Sequence, residues 1–549
     1  MRKDRWRLIG ENIRSDHHGL RLNRFGKKSG RWGPRLLLIV VLGFFLSRAV
    51  FLQLVLGAHN QVLAEGNRIE VKLVAADRGV IEDRQGQVLA RNGLNVNQKV
   101  VREYPFGEVG VHVIGYVGAV TPAELEECQK KLQVCRLSGN QVVGKMGVEK
   151  TQEEWLRGVS GERLVETDAA GRDARLISQR VPTAGEVVRL NLDIGLEKAV
   201  VGALAARASE KFTRGAVVVS RVNTNEVLAL VSWPEFDPNL FSGSPGQGGY
   251  GTVEGVLGDQ ENQPLFNRAT AGLYPPGSVF KLVTATAALE TGSISPDTLV
   301  EDTGELKVGD YRYGTWNFDQ HGNKEGNIGL VRALVRSNDI FFYKAGEWTG
   351  VENLKLWSNR LGLGAKTGIE LSGEEAGVVP DPVVKERETG ERWFLGNTYH
   401  LAIGQGDLLV TPLQVNRMTA AVVSGLWCQP RLTAADPRAG CRETGVNQAH
   451  RQLILTGMVG ACASGGTAFP LFDFQPQLAC KTGTAQHGGE NIEPHAWISV
   501  VVPASGNTQL ERFENGLVIT VLLEDAGEGS YEAAPVASIV AEYITAHQL

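Results

Sequence analysis

The sequence YPPGSVFKLVTATAALE, residues 274–290, joins a turn-forming segment to a helix-forming one. Two prolines and a glycine end a loop, and a run typical of a helix begins at Ser278. Lys281 follows three residues later, so the two side chains share a helix face and the hydroxyl can meet the amine. A serine beside an amine can be a nucleophile with its base. The plainer interpretation is a helix start with a solvated lysine, and this motif alone does not decide.

Two further motifs favour the catalytic interpretation. Ser337-Asn338-Asp339 stands directly before an aromatic helix-forming run, and Lys481-Thr482-Gly483-Thr484 lies in a predicted strand. Each has a structural alternative, because Ser337 can cap a helix and Lys481 can protect an exposed strand edge. A chance match of all three motifs, in this order and on these elements, is improbable. We therefore predict one site in which they converge on Ser278.

The elements around these motifs form two groups of strands separated by helices. The strand patterns cover residues 215–221, 226–234, 478–485, 495–503 and 516–524, with helices at 192–210 and 533–546. Because two strands come early and three come late, we predict an α+β domain. Its antiparallel sheet of five strands is built from both ends of the domain and covered by helices, with a helical subdomain between.

The N-terminal region predicts a membrane anchor. Residues 1–35 hold eleven Lys/Arg and three Asp/Glu, and the apolar run 36–56 follows. As a helix this run spans roughly 31 Å, which matches a bilayer core of about 30 Å. The run is longer than a signal-peptide core and has no convincing cleavage site, so we predict an uncleaved anchor in which Arg48 reaches the outer interface. The positive-inside rule places the basic tail in the cytoplasm and the rest outside.

Composition then divides the chain into four parts. We predict a cytoplasmic tail at 1–35, a transmembrane anchor at 36–57, an elongated and mostly β pedestal at 58–190, and a catalytic domain at 191–549. A helix leaving the membrane is predicted over 58–76. All six cysteines follow the anchor, where disulfides are permitted. Spacing leaves open the pairing of Cys128 with Cys135, Cys428 with Cys441 and Cys462 with Cys480. Nothing indicates nucleic-acid binding.

With further segments, the three motifs resemble the class B penicillin-binding proteins, the monofunctional peptidoglycan transpeptidases. The segments that carry the resemblance are DRGVIEDRQGQVLA (77–90), GYVG (115–118), GKMGVEKTQEEWLRGVSG (144–161), WPEFDPN (233–239), NRAT (267–270), AIGQGDLLVTPLQ (402–414), GGTA (465–468) and KTGTAQ (481–486). Asp339 at the third position of its motif, and ELSGEEAGVVPDP (370–382), resemble the elongation (rod-shape) type rather than the septal type.

The resemblance implies the penicilloyl-serine transferase fold and acyl transfer from stem peptides ending in D-Ala-D-Ala. It implies that Ser278 is the nucleophile, Lys281 its base, Ser337 a proton relay and Asp339 an orienting group. Lys481, Thr482 and Thr484 would bind the terminal carboxylate, and the backbone N–H groups of Ser278 and Thr484 would form the oxyanion hole. β-Lactams would acylate Ser278. From its residue type alone, Gly483 is expected to leave the strand edge open to an extended peptide.

Two departures from the family pattern affect partners and metals. Only residues 93–101 separate Asn92 from Arg102, where the elongation type carries a large head, so the pedestal head is predicted to be shortened. Some relatives hold zinc through Asp, His and Cys. Candidate counterparts here are Asp302, Asp319 and His321, but Leu334 stands where the cysteine would be, so we predict no metal and no cofactor.

The resemblance implies a SEDS-type glycosyltransferase of the inner membrane and other elongation-complex proteins as partners. Two alternatives stay open, a septal transpeptidase and a largely non-enzymatic activator of a glycan polymerase. A β-lactamase shares the motifs but needs neither an anchor nor a pedestal.

Overall fold

The structure is a computed structural model that describes residues 32–60, 68–95, 97–131, 141–168, 172–208, 212–243, 248–434, 440–488 and 492–549. The chain divides into two compact units. One comprises Met1–Lys72 and Arg163–Gln179, and the other Leu73–Glu162 and Arg180–Leu549. Most of the predicted cytoplasmic tail, and Cys135, lie outside the described residues.

The first unit contains an apolar helix and a small sheet. Helix Trp32–Val50 continues into a π-helical turn, Phe51–Val55, and within the described residues it is the one helix long and apolar enough to cross a membrane. Strands Ile69–Val74, Gly161–Thr167 and Asp173–Arg180 form a three-stranded sheet in that order. The helix predicted over 58–76 is therefore wrong from Ile69 onward, because IEVKLV alternates with the two-residue period of a strand.

The second unit begins with short strands and helices. A four-stranded sheet has the order Val100–Glu103, Val88–Leu94, Ile81–Glu82 and Val188–Arg189, and Val117–Ala119 pairs with Val142–Gly144. The helices here are Val111–Ile114, Pro122–Lys131, Gly147–Thr151 and Glu153–Arg157. Val88–Leu94 and Val100–Glu103 form an antiparallel hairpin, and the Asn95 carboxamide accepts hydrogen bonds from the N–H groups of Asn97 and Lys99. The short connection that the sequence shows between Asn92 and Arg102 therefore lies within this hairpin.

The catalytic part is organised around a five-stranded antiparallel sheet. Its strands in chain order are β1 (Gly215–Arg221), β2 (Val227–Trp233), β3 (Ala479–Ala485), β4 (His495–Val502) and β5 (Leu517–Leu523). Their spatial order is β2-β1-β5-β4-β3, so the last strand of the chain lies in the middle and β3 lies at an edge. The predicted α+β sheet, built from both ends of the domain, is confirmed.

Helices cover both faces of this sheet. The principal helices are α1 (Ile194–Arg207), α2 (Lys281–Glu290), α3 (Leu330–Arg336), α4 (Asp339–Thr349), α5 (Pro412–Ser424), α6 (Gln448–Ala461) and α7 (Ala533–His547). Alternate residues of each strand face opposite ways. Trp497 and Val501 therefore pack in the core with α2 to α6, whereas Ile498 and Val500 pack with α1 and α7.

Shorter elements complete the domain. The remaining helices are Val253–Gly258, Arg268–Ala271, Trp316–His321, Val351–Arg360, Pro382–Thr389, Leu395–Ala402 and Gln509–Glu514, with 3₁₀ turns at Pro238–Ser242, Gly277–Phe280 and Phe469–Leu471. Short strand pairs join Val300–Asp302 to Gly326–Ile328, Glu305–Val308 to Tyr311–Gly314, and Leu426–Trp427 to Arg442–Glu443.

The structure resolves two of the three cysteine pairings that spacing left open. Disulfides join Cys428 to Cys441 and Cys462 to Cys480, and Cys128 is disulfide-bonded as well.

Candidate active site

Ser278 lies in a 3₁₀ turn, Gly277–Phe280, that leads into α2. The α-helix therefore begins at Lys281, three residues later than predicted. The turn is held from two sides. The indole N–H of Trp497 donates to the Pro275 carbonyl at 3.0 Å, and the Gly277 N–H donates to the Gly404 carbonyl at 2.9 Å. These bonds fix Ser278 against the sheet while its own side chain stays partly exposed.

The Lys281 side chain is fully buried and is directed at the second motif. Its Nζ donates to the Ser337 carbonyl at 2.9 Å, to the Ser337 Oγ at 3.3 Å and to the Asp339 Oδ1 at 2.6 Å. Among the hydrogen bonds of the described residues, none joins Lys281 to the Ser278 hydroxyl. The structure thus brings Lys281, Ser337 and Asp339 together and places Ser278 in the turn that leads into the helix of Lys281.

Ser337 ends α3 in a left-handed conformation, with φ of 52°. This conformation is unfavourable for a residue with a Cβ and is typical of functional sites. Asn338, not Ser337, caps the next helix, because its Oδ1 accepts from the Phe341 N–H at 3.0 Å and its Nδ2 donates to Asp302 at 2.8 Å. The Ser337 hydroxyl is thus left for the lysines, and the capping alternative does not hold.

Lys481 joins the third motif to the second. Its side chain is fully buried in β3, and its Nζ donates to the Ser337 Oγ at 2.8 Å and to the Thr482 carbonyl at 3.0 Å. A lysine that protects an exposed strand edge from pairing must face solvent. The burial of Lys481 therefore excludes this alternative role. The Thr482 hydroxyl lies 2.7 Å from that of Thr467, and the Thr484 hydroxyl accepts from the Gly529 N–H at 3.4 Å.

Gly483 also has a packing reason, and the predicted opening of the strand edge to an extended peptide stays a prediction. A Cβ at this position would lie 3.0 Å from the Pro276 carbonyl oxygen, the Trp497 Cβ and the Val279 Cγ2. Its missing side chain therefore allows the Ser278 turn to pack directly on β3. The same close approach brings Ser278 beside Thr484, the two residues predicted to supply the oxyanion hole.

Burial and charge together set the protonation of the two lysines. Burial lowers the pKa of Lys281, and the carboxylate of Asp339 acts in the opposite direction. Burial also holds the pKa of Lys481 well below its usual range, the positive charge of Lys281 lowers it further, and Asp339 opposes both. Two ammonium groups hydrogen-bonded to one buried hydroxyl repel each other, so the site favours a neutral amine. A neutral lysine is what a general base requires.

The proposed zinc counterparts already have protein partners. Asp302 accepts hydrogen bonds from Asn338 and from the N–H groups of Gly304 and Glu325, at 2.8 to 3.0 Å. Asp319 forms an ion pair with Arg312, and His321 packs edge-on against Trp316.

A second group of possible metal ligands was not predicted from the sequence. His487, His495 and Asp525 bring ligand atoms within 4.8 Å of one another. The His495 Nδ1, however, accepts from the Asp525 N–H at 3.1 Å, and Arg214 donates to the Asp525 carboxylate at 2.7 Å. These hydrogen bonds already occupy His495 and Asp525, two of the three residues in the group.

Substitution of Gly277 is expected to slow acylation of Ser278. Gly277 has φ of +55°, and an added Cβ would lie 2.7 Å from the Thr484 carbonyl oxygen. In Gly277→Ala the Ser278 turn and β3 must move apart, which displaces an N–H predicted to form the oxyanion hole. We expect the second-order rate constant for acylation by a fluorescent penicillin to fall about 10²-fold, as for loss of one oxyanion donor.

Gly292→Ala is the matched control for this substitution. Gly292 also has positive φ, +69°, but an added Cβ there meets nothing within 4 Å. Both variants then place an alanine in a left-handed backbone conformation, and they differ only in the contact with Thr484. Equal acylation rates for the two variants would contradict this account of Gly277.

Asp339→Asn is expected to shift the pH dependence of acylation. The Asp339 carboxylate raises the pKa of Lys281 and of Lys481, so its removal lowers both. The neutral base then persists to lower pH, and the acidic limb of the pH–rate profile should move to lower pH. Glu347→Gln, on the same helix, is the control. A limb that moves to higher pH would contradict the assignment.

Several supporting residues could not be assigned roles from the sequence alone. Gly404 holds the Ser278 turn, the Gln405 side chain donates to the Thr484 carbonyl at 3.4 Å, and Thr467 contacts Thr482. The sequence did contain a signal for these residues, because they lie in the AIGQGD and GGTA segments that carry the family resemblance. Their positions depend on packing between distant parts of the chain.

Comparison with known proteins agrees with this arrangement. Residues 215–544 match the family model of the penicillin binding protein transpeptidase domain, and residues 92–190 match that of the penicillin-binding protein dimerisation domain. The chain is 33% identical over 410 residues to the peptidoglycan D,D-transpeptidase MrdA of Acinetobacter baumannii, which covers 72% of this chain and 58% of that relative.

Two solved structures are similar over most of the chain. One is the complex between penicillin-binding protein PBP2 and MreC from Helicobacter pylori, with a TM-score of 0.73, 25% identity, and coverage of 87% of this chain and 99% of that one. The other is Pseudomonas aeruginosa PBP2 in complex with WCK 5153, with a TM-score of 0.72, 30% identity, and coverage of 86% and 96%. The resemblance to the class B, elongation-type proteins is confirmed, and the chain belongs to the penicillin-binding protein transpeptidase family.

Proposed function

We propose that this protein is a serine D,D-transpeptidase that cross-links peptidoglycan during cell elongation. One observation carries the proposal: Lys281, Ser337 and Lys481 form a single buried hydrogen-bonded chain at the start of the helix that follows Ser278. A nucleophile needs a base near it, and two buried amines sharing one hydroxyl supply one. The chain spans 58% of the Acinetobacter relative, so activity, substrate and partners all belong to the proposal.

In the acylation step, the Ser278 oxygen bonds to the carbonyl carbon of the penultimate D-Ala. Its proton passes to neutral Lys281, and the tetrahedral intermediate carries its negative charge on the former carbonyl oxygen. The peptide bond then breaks, a proton delivered through Ser337 goes to the leaving amine, and terminal D-Ala departs. Ser278 is left holding the stem peptide as an ester. An amine of a neighbouring stem peptide attacks the ester carbon, the bond from that carbon to the Ser278 oxygen breaks, and the proton lost by the amine returns to Ser278 through Lys281, which completes the cross-link and frees the enzyme.

The roles of the third motif follow from charge and position. The backbone N–H groups of Ser278 and Thr484 would stabilise the oxyanion, which forms where the turn meets β3. Lys481, Thr482 and Thr484 would bind the terminal carboxylate of the donor. A β-lactam presents the same carboxylate and an acyl carbon, so it would acylate Ser278 and stay bound. Gly483 serves this site by letting the turn approach the strand.

The domain assignment is part of the proposal. We assign a cytoplasmic tail to residues 1–35, an anchor to 36–57, a pedestal to 58–190 and the transpeptidase domain to 191–549. The family matches at 92–190 and 215–544 support the last two. The apolar helix Trp32–Val55 would hold the protein in the inner membrane as a single-pass protein, with its catalytic part outside the cytoplasm.

Partner proteins follow from the elongation role. The Helicobacter PBP2 that this chain resembles forms a complex with MreC, which supports an elongation-complex partner of that kind. A SEDS-type glycosyltransferase would supply the glycan strands. The hairpin at Val88–Glu103 stands in place of the larger head, so contacts with partners would use other parts of the pedestal.

Labelling with a fluorescent penicillin, followed by proteolysis and mass spectrometry, tests the proposal. The label should be found on the peptide that contains Ser278 and should be blocked by prior incubation with unlabelled penicillin. Label on another serine would overturn the assignment. Rapid release of the hydrolysed label would instead favour a β-lactamase.

A further inference from the structure

The disulfide Cys462–Cys480 adjoins the third motif, Lys481-Thr482-Gly483-Thr484. Cys480 precedes Lys481 in β3, and Cys462 is the first residue after α6. Both side chains are fully buried. The bridge therefore joins the strand that carries Lys481 to the end of a helix in another part of the sequence.

The disulfide reaches β3 from the face opposite Lys481, which is the face that also carries Thr482. Successive side chains of a strand point to opposite faces, so Cys480 and Lys481 face opposite ways. Cys480 and Cys462 pack in the core beneath α1 and α7, whereas the neighbours of Cys480 along the strand face the helical block that holds Ser337. The bridge thus fixes the strand backbone and adds no atom to the site.

Helix α6 carries this connection on to Ser337. Gly457 and Gly460 of α6 lie against α3, where an added Cβ would come within 2.7 Å of Leu334 and 2.5 Å of Val335. Ser337 is the first residue after helix α3. A covalent bond and one tightly packed helix pair therefore connect the two residues whose side chains meet at 2.8 Å, Lys481 and Ser337.

The segment after Cys462 reaches the same site. The N–H groups of Thr467 and Ala468 both donate to the Ala461 carbonyl at 3.1 Å, and the Thr467 hydroxyl lies 2.7 Å from that of Thr482. Within the described residues β3 pairs with β4 alone, so its other edge has no strand partner. The disulfide supplies a second attachment for an edge strand that must hold three substrate-binding residues in place, Lys481, Thr482 and Thr484.

We propose that Cys462 and Cys480 are positioning residues, whose disulfide holds β3 so that Lys481 and Thr482 keep their places beside Ser337 and Thr467. This inference rests on the proposed transpeptidase function. The bridge acts through the strand, and without it the motif loses its covalent attachment to α6 and keeps the pairing with β4, the packing of the Ser278 turn and the side-chain hydrogen bonds. Loss of the disulfide is expected to slow the acylation of Ser278 in protein that remains folded.

The test compares two double variants of the full-length protein. Cys462→Ala/Cys480→Ala removes this bridge, and Cys428→Ala/Cys441→Ala removes one whose ends also lie close in sequence. The sequence separations are 18 and 13 residues, so the two losses of chain constraint are similar. Both variants should unfold at lower temperature. Only the first should show an acylation rate constant for fluorescent penicillin about tenfold below wild type, with the control within twofold.

Rate and amplitude separate positioning from simple loss of stability. A partly unfolded preparation labels to a lower final level, but its folded molecules react at the wild-type rate constant. Displacement of Lys481 lowers the rate constant itself. Wild-type rate constants in Cys462→Ala/Cys480→Ala, or an equal fall in the control, would overturn the inference.

A second measurement applies if that variant does not fold. The wild-type chain is treated with dithiothreitol, whose two thiols become a cyclic disulfide as each protein bridge becomes two thiols. Alkylation and mass spectrometry identify the opened bridges. Slow acylation that returns on reoxidation supports the inference, and an unchanged rate with Cys462 and Cys480 alkylated overturns it. Absence of label from wild-type Ser278 would overturn the proposed function itself.

Discussion

Ser278→Ala is expected to abolish covalent labelling by penicillin and to lower cross-linking activity by about 10⁴-fold or more, the scale seen when a nucleophile is removed. No other group of the site can replace the hydroxyl, because Ser337 is buried and occupied by the two lysines. The fold should be unaffected, since the Ser278 side chain hydrogen-bonds to none of the described residues. Labelling in gels and thermal unfolding measure both expectations.

Ser278→Ala also distinguishes a transpeptidase from a non-enzymatic activator of a glycan polymerase. Ser295→Ala, at an exposed serine just beyond α2, is the matched control and should label like wild type. In cells that depend on this protein for shape, Ser278→Ala should fail to restore rod growth. Label that persists in Ser278→Ala would refute the nucleophile assignment, and full rescue of growth would favour the scaffold role.

Lys281→Met is expected to lower the acylation rate constant by about 10³-fold, within the range for a general base. Methionine keeps the length and apolar stem of lysine, so packing in the fully buried site is retained. Loss of one partner of the Lys281–Asp339 ion pair leaves the Asp339 carboxylate without its cation, so the melting temperature should fall, and the rate constant is measured below the unfolding transition. Stopped-flow or gel-based acylation kinetics measure the loss.

Lys281→Arg tests whether charge or proton transfer matters. Arginine keeps a positive charge but does not lose its proton in proteins, so it should be as inactive as methionine. Lys344→Met, on α4 with an ion pair to Glu347, is the control lysine and should react normally. Activity within tenfold of wild type in either Lys281 variant would exclude Lys281 as the base.

The sheet could be predicted because each strand has a local sequence pattern typical of a strand. GAVVVSR and GLVITVLLE are β-branched runs flanked by turn residues, and the structure places strands there within a residue at each end. The start of α2 was predicted three residues early, because a 3₁₀ turn and a helix present the same apolar pattern. The segment at Ile69–Val74 was misassigned because its strand partners lie about ninety residues away in the sequence.

The convergence of the site could be predicted, but its internal geometry could not. Three motifs on known element types indicated that Ser278, Ser337 and Lys481 meet. The left-handed conformation of Ser337, and the capping of the next helix by Asn338, depend on how two helices join. The packing role of Gly483 depends on a turn 206 residues earlier in the sequence, so residue type alone did not indicate it.

The position of β5 in the middle of the sheet bears on how the protein is made. A chain synthesised from its N-terminus produces β1 and β2 about 280 residues before the strand that β1 must pair with. Until β5 emerges, β1 has an unpaired apolar edge, which is a template for aggregation. Contacts of such sequence separation also fold slowly. The protein should therefore depend on a chaperone during biogenesis, and loss of its last forty residues should remove the whole catalytic sheet rather than one edge of it.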